Sequence, residues 1–159
     1  MYMQSITYRP IEEADSAFLF DVYASAQQEE LSLSGWPQRL QEGFLRNQFE
    51  AERMFLAQQF SHADLRIVLY QGEPIGRLYL DIKDTKIEIL DIALLPEYRN
   101  RGIGTELLRS ILEEAEERNK PVHIHVLRRS PSVRLYYRLG FYRIADNGTS
   151  WLLKWEPPS

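Results

Sequence analysis

Apolar residues change their spacing several times along the chain, and each change marks an element. Ser5 to Pro10 carries the strand-favouring residues Ile6, Thr7 and Tyr8. Phe18, Leu19, Val22 and Tyr23 then fall at helical spacing and predict a helix over Asp15 to Ser25, with Asp15 and Ser16 as N-cap residues. Gln27 to Pro37 is polar and reads as an irregular connection ending in Gly35-Trp36-Pro37. Pro37 suits the first position of a second helix. Leu40, Phe44, Leu45, Phe49, Met54, Phe55 and Phe60 carry that helix from Gln38 to Phe60, with a bend or break allowed.

The period then shortens. Leu65–Tyr70, Ile75–Ile82 and Lys86–Leu95 read as strands, separated by the turns Gln71-Gly72-Glu73-Pro74 and Lys83-Asp84-Thr85. Two tight connections in succession predict an antiparallel meander. Ile103, Leu107, Leu108, Ile111, Leu112 and Ala115 form one stripe of a helix over Ile103–Arg118, which Pro121 cannot extend. Val122–Leu127 is a strand, and Pro131–Leu139 a short helix stopped by Gly140. Phe141–Ala145 and Ser150–Trp155 close the chain as a hairpin around Asn147-Gly148. The order is β-α-α-β-β-β-α-β-α-β-β. The long helix between Lys86–Leu95 and Val122–Leu127 makes those two strands parallel, so the expectation is an α/β chain with a mixed sheet. One domain over residues 1–159 is expected.

Composition narrows the function classes. Apolar residues make up 44% and charged residues 26%, an ordinary globular balance. The net charge of −4 gives no general pull toward nucleic acid. There are no cysteines, which removes disulfides, thiolate metal sites and a cysteine nucleophile. Met1 to Pro10 lacks the apolar region of a signal peptide, and no run is long enough to span a membrane. A cytoplasmic protein acting without nucleic acid or membrane is expected. Its three histidines do not have zinc spacing, so no metal is expected.

The chemistry concentrates between Pro96 and Thr105. This segment joins an apolar strand to the long helix. The first N–H groups of a helix lack intrahelical partners and attract anions. Gly102 and Gly104 leave the backbone open to a phosphate, Arg99 and Arg101 add charge, and Thr105 adds a hydroxyl. The P-loop does not fit, because its Lys is missing. The dinucleotide fingerprint does not fit either, because Leu107 holds its third glycine position. A plain glycine-bearing turn remains the alternative to anion binding.

Leu94 to Thr105 resembles motif A of the GNAT superfamily of N-acetyltransferases, whose signature Arg/Gln-x-x-Gly-x-Gly/Ala is matched by Arg99, Gly102 and Gly104. Downstream, Ser130-Pro131-Ser132-Val133-Arg134-Leu135-Tyr136-Tyr137-Arg138-Leu139-Gly140-Phe141 is similar to the family's Asn-Pro-Ala-x-x-Leu-Tyr-x-x-Leu-Gly-Phe segment. Ser130 stands for the usual Asn and Ser132 for the usual Ala, the second exchange expected to matter little. The resemblance implies a GNAT-type fold, its central sheet splayed between the two parallel strands. It implies an acyl-CoA-dependent N-acetyltransferase using acetyl-CoA as cosubstrate. Main-chain groups of Ile92, Ala93 and Leu94 would pair with the pantetheine amides. The pyrophosphate would rest on Arg99, Asn100, Arg101, Gly102, Ile103, Gly104 and Thr105. Ser130 holds the position that contacts the pantetheine arm. Tyr136 matches the family's frequent general acid, and its ordinary pKa of about 10 keeps it protonated. Its other reading is an aromatic on the buried face of a short helix.

The general base is open. Asp91 shares a strand face with Ile87, Ile89 and Ala93, and serves as a base or as a structural acceptor. Glu88 lies on the opposite face. His125, in the second parallel strand near the expected reaction centre, is a third candidate, and His123 shares its face. Glu29 and Glu30, in the polar connection, either suit a cationic amine by charge complementarity or belong to a solvated loop. The acceptor would be a small-molecule or peptide amine, and a homodimer through a sheet edge or the C-terminal hairpin is compatible with the pattern. Two readings compete with transfer: a non-catalytic acyl-CoA-binding sensor or interaction module, and an unrelated anion-binding α/β domain.

Overall fold

Eleven elements follow the expected order. They are β1 (Ile6–Pro10), α1 (Ser16–Ser32), α2 (Gln38–Gln59), β2 (Asp64–Tyr70), β3 (Glu73–Ile82), β4 (Ile87–Leu94), α3 (Ile103–Glu117), β5 (Val122–Leu127), α4 (Val133–Arg138), β6 (Tyr142–Asp146) and β7 (Ser150–Trp155). They come from a computed structural model that describes residues 5–159, without the side chains of Glu29 and Glu30. The strands form a mixed sheet in the order β1-β2-β3-β4-β5-β7-β6. β4 and β5 run parallel, as the helix between them requires. β1 pairs antiparallel with β2, and β7 lies between β5 and β6, antiparallel to both.

The chain packs as two compact units. One takes in the described residues up to Leu78 together with Ile92–Arg99, and the other takes in Tyr79–Asp91 and Asn100–Ser159. In the first, Leu19, Phe49 and Ile67 form a buried cluster to which Phe18, Phe20 and Tyr23 add partly buried surface. In the second, α3 buries Ile103, Leu107, Leu108, Ile111, Leu112 and Ala115, the stripe its period predicts. Among the described residues no helix is long and apolar enough to cross a membrane.

Two local expectations change. α1 continues to Ser32, through residues read as an irregular connection. Its apolar period fades after Tyr23, but Gln27, Gln28, Glu29, Glu30 and Leu31 are all good helix formers, and propensity carries the helix on. Asp15 precedes α1 in a 3₁₀ turn instead of capping it. Its carboxylate accepts the Glu12 N–H at 2.8 Å and both Arg9 guanidinium nitrogens at 2.9 Å. α2 runs unbroken.

The first unit also encloses a charge. Arg77 on β3 is only 3% exposed and forks onto both Glu52 oxygens of α2, at 2.8 and 3.1 Å. Its guanidinium also lies 5.7 Å from the Tyr23 ring centre. Removing one partner of such a pair costs ~3–5 kcal/mol, because the other charge stays buried. Glu52→Ala is expected to lower unfolding free energy by about 3 kcal/mol in a denaturant titration, and Glu52→Gln by less. Equal, small losses in both variants would show that the pair does not hold α2 to β3.

Candidate active site

The β4–β5 ladder is short. It runs through Ile87–Val122, Glu88–His123 and Ile89–Ile124 and then stops. Leu90 and Asp91 continue β4 without a β5 partner, while β5 stays paired to β7 as far as Leu127–Ser150. Further along β4, the other edge is closed by β3. A Cβ on Gly76 would run into the Ala93 carbonyl, and Leu95 N–H donates to the Ile75 carbonyl at 2.8 Å. Because main-chain groups alternate sides along a strand, Ala93 is turned toward β3, and Ile92 and Leu94 present theirs to the opposite edge. The Leu94 carbonyl accepts Arg99 Nε at 3.0 Å.

That bond folds the following turn back on the strand end. Pro96–Tyr98 makes one 3₁₀ turn, and Asn100 and Gly102 both take left-handed backbone conformations, with φ of 59° and 80°. Gly102 caps α3 without any side-chain hydrogen bond, and its carbonyl accepts the Glu106 N–H. The N–H groups of Ile103, Gly104 and Thr105 therefore have no intrahelical acceptor and face the positive end of the helix dipole outward. A Cβ on Gly104 would meet nothing within 4 Å. Its φ is not left-handed, so neither backbone nor packing demands glycine there. Arg99 and Arg101 are exposed beside this helix start.

Tyr136 on α4 is 4% exposed and packs edge-on against Phe141 at 5.3 Å between ring centres. Burial, and secondly the charge of Asp91, push its phenol up from 10.0 to about 12. Tyr136 and Asp91 are thus brought together, and Tyr137 next door is exposed. The start of α4 holds a feature absent from the sequence expectation. The hydroxyls of Ser130 and Ser132 lie 2.7 Å apart, and the Ser130 Oγ also accepts the Ser132 N–H at 3.3 Å. The two departures from the family pattern bond to each other.

The other candidates separate. Glu88 pairs across the ladder with His123, on the face opposite Ile87 and Ile89, and sits 3.5 Å from Lys83 Nζ. His125 lies on that same outer face of β5 and is exposed. His123 is the perturbed histidine. Its burial, then the charges of Lys86 and Lys154, hold its pKa below the usual imidazole value. Glu29 and Glu30 lie on α1, not in a loop, and their side chains fall outside the described residues. The doublet Arg128-Arg129 after β5 escaped the sequence reading because it belongs to no motif.

The model of the acetyltransferase (GNAT) family matches residues 20–141. An uncharacterized N-acetyltransferase of Schizosaccharomyces pombe is 57% identical over 35 residues, 22% of this chain and 24% of that protein's length. The PaiA N-acetyltransferase of Thermoplasma acidophilum in complex with coenzyme A superposes with a TM-score of 0.71 at 21% identity, over 96% of this chain and 99% of its own. The ribosomal-protein-S18-alanine N-acetyltransferase of Escherichia coli gives 0.68 at 16% identity, over 97% and 95%. A GNAT family acetyltransferase of Elizabethkingia anophelis with acetyl-CoA bound gives 0.62 at 20%, over 97% and 99%. At these identities the superpositions speak for the fold alone.

The Tyr136 environment has a measurable signature. Its neutral form is favoured in the folded state, so the unfolded chain ionises first. Stability from this group is complete below pH 10 and is lost as pH rises toward about 12. For a pKa moved that far the loss is about 2–3 kcal/mol. Tyr136→Phe is expected to lack this loss in alkaline denaturant titrations, and Asp91→Asn to shrink it. Identical alkaline profiles in all three proteins would mean that Tyr136 is not held this way.

Proposed function

The chain belongs to the acetyltransferase (GNAT) family, and we propose that it moves an acetyl group from acetyl-CoA directly to a primary amine. The start of α3 carries the reading. Three main-chain N–H groups without intrahelical acceptors, an open Gly104 and two arginines form a seat whose chemistry fits a pyrophosphate. Ile92 and Leu94 offer a main-chain edge to the pantetheine amides, and Ser130 holds the position expected to contact the pantetheine arm.

The amine nitrogen attacks the thioester carbon, the new C–N bond forms, and the C–S bond breaks. The proton lost by the amine and the proton gained by sulfur balance. Tyr136 is the donor to the departing thiolate. Asp91 supports this in a specific way. Burial first, and the charge of Asp91 second, keep Tyr136 protonated. If Asp91 takes the amine's proton, the smaller, electrostatic part of that restraint is removed as sulfur needs a donor, while the part due to burial stays. Glu88 and His125, on the outer face, serve as bases only for an amine arriving from that side. We place the acceptor among small-molecule or peptide amines and the reaction in the cytoplasm, which the cysteine-free composition fits.

Thiol release from acetyl-CoA across a panel of amines tests transfer. Release with at least one amine is expected. Acetyl-CoA binding without release from any would favour the sensor. Tyr136→Phe is expected to slow turnover ~10²–10⁴-fold with acetyl-CoA affinity unchanged. Unaltered turnover would remove Tyr136 as the donor. Gly104→Ala is expected to keep or raise thermal stability, alanine being the better helix former by ~1 kcal/mol, while weakening acetyl-CoA at least tenfold. Unchanged affinity would place the pyrophosphate elsewhere.

A further inference from the structure

A second concave site lies where the end of β5 meets the β6–β7 turn. It is a cavity of about 550 Å³ lined by Leu127, Arg128, Arg129, Gly148, Thr149 and Trp151. That volume is typical of sites for small ligands. Its lining holds two guanidinium groups and no carboxylate.

The two arginines have different tasks. Arg128 is committed to the β6–β7 turn. Its Nη1 donates to the Gly148 carbonyl at 3.0 Å, its main-chain N–H donates to the Thr149 carbonyl at 3.1 Å, and its Nε stands 4.0 Å from Asp146. It braces the wall. Arg129 has no ion-pair partner among the described residues, so its charge is available to the cavity. The turn itself is held from within. Asp146 Oδ1 accepts the Gly148 N–H, and Asn147 Oδ1 accepts those of Thr149 and Ser150. These amides are unavailable to a ligand, which argues against a phosphate needing many donors. A single guanidinium fork matches a planar carboxylate. Leu127, 64% exposed, and Trp151 add apolar surface for a carbon skeleton.

The cavity takes in Leu127, the end of β5, the strand whose pairing with β4 ends at Ile89–Ile124. Arg129 directly precedes Ser130, whose hydroxyl bonds Ser132 at the head of α4, the helix that carries Tyr136. We propose that this cavity holds the acceptor, that the acceptor is a small amine bearing a carboxylate, and that Arg129 binds that carboxylate. This rests on the acetyl-transfer reading.

The test compares glycine, β-alanine, γ-aminobutyrate, aspartate and glutamate, each against its amide, by thiol release and by calorimetric binding in the presence of CoA. At least one acid is expected to exceed its amide by about tenfold or more in kcat/KM, and to bind where the amide does not. Arg129→Gln is expected to raise the KM of that acid by about tenfold with kcat and the KM for acetyl-CoA held, and Arg129→Glu to abolish the preference. Transfer without any acid preference would overturn the acceptor assignment and leave acetyl transfer standing. A rise in the acetyl-CoA KM instead would show that Arg129 serves a coenzyme phosphate, again overturning it. Should no acceptor release thiol, the transfer reading fails on its own. Binding then decides the cavity: acids held through Arg129 support it, and acids bound no better than amides overturn it.

Discussion

The site depends on a parallel ladder that stops too soon. Ile87, Glu88 and Ile89 pair with β5, and the next residues of β4 do not. A parallel strand pair normally closes its main-chain groups along its length, and an open edge must find other partners. Here β3 closes one side of β4 at Ala93 and Leu95, while Ile92 and Leu94 present the other. Exposed main-chain groups of this kind bind extended ligands with paired amides, which pantetheine has. The turn that follows the open stretch leads into α3 with its first N–H groups uncapped.

In the second unit, polar groups act in pairs. Burial first, and the charge of Asp91 second, raise the Tyr136 phenol. Ser130 and Ser132 bond to each other where the family usually carries Asn and Ala. That pairing fixes the entry to α4 locally, as short hydroxyl side chains at helix starts do. Arg128 makes a comparable tie from the end of β5 to the β6–β7 turn.

Much of this was legible in the residues, and for physical reasons. α3 announced itself because its buried stripe recurs at the helical period, and β5 and β7 because they alternate between turn residues. The Gly102–Gly104 turn was legible because left-handed backbone and an open approach both select glycine. The extension of α1 was not, since its last turns rest on propensity without an apolar stripe. That Asp91 and Glu88 take opposite faces follows from alternation along β4, but which face meets Tyr136 depends on how α4 packs. Asp91 therefore joined Tyr136 while Glu88 and His125 went to the outer face. The Ser130–Ser132 bond needed coordinates, because nothing in either exchange alone predicts the other.

The central claim is that this chain holds acetyl-CoA through an uncapped helix start and an open strand edge. Calorimetric titration of the unmodified protein with acetyl-CoA tests it most directly. Saturable binding with one site per chain, weakened by added pyrophosphate, is the predicted result. No heat of binding at millimolar acetyl-CoA would contradict it.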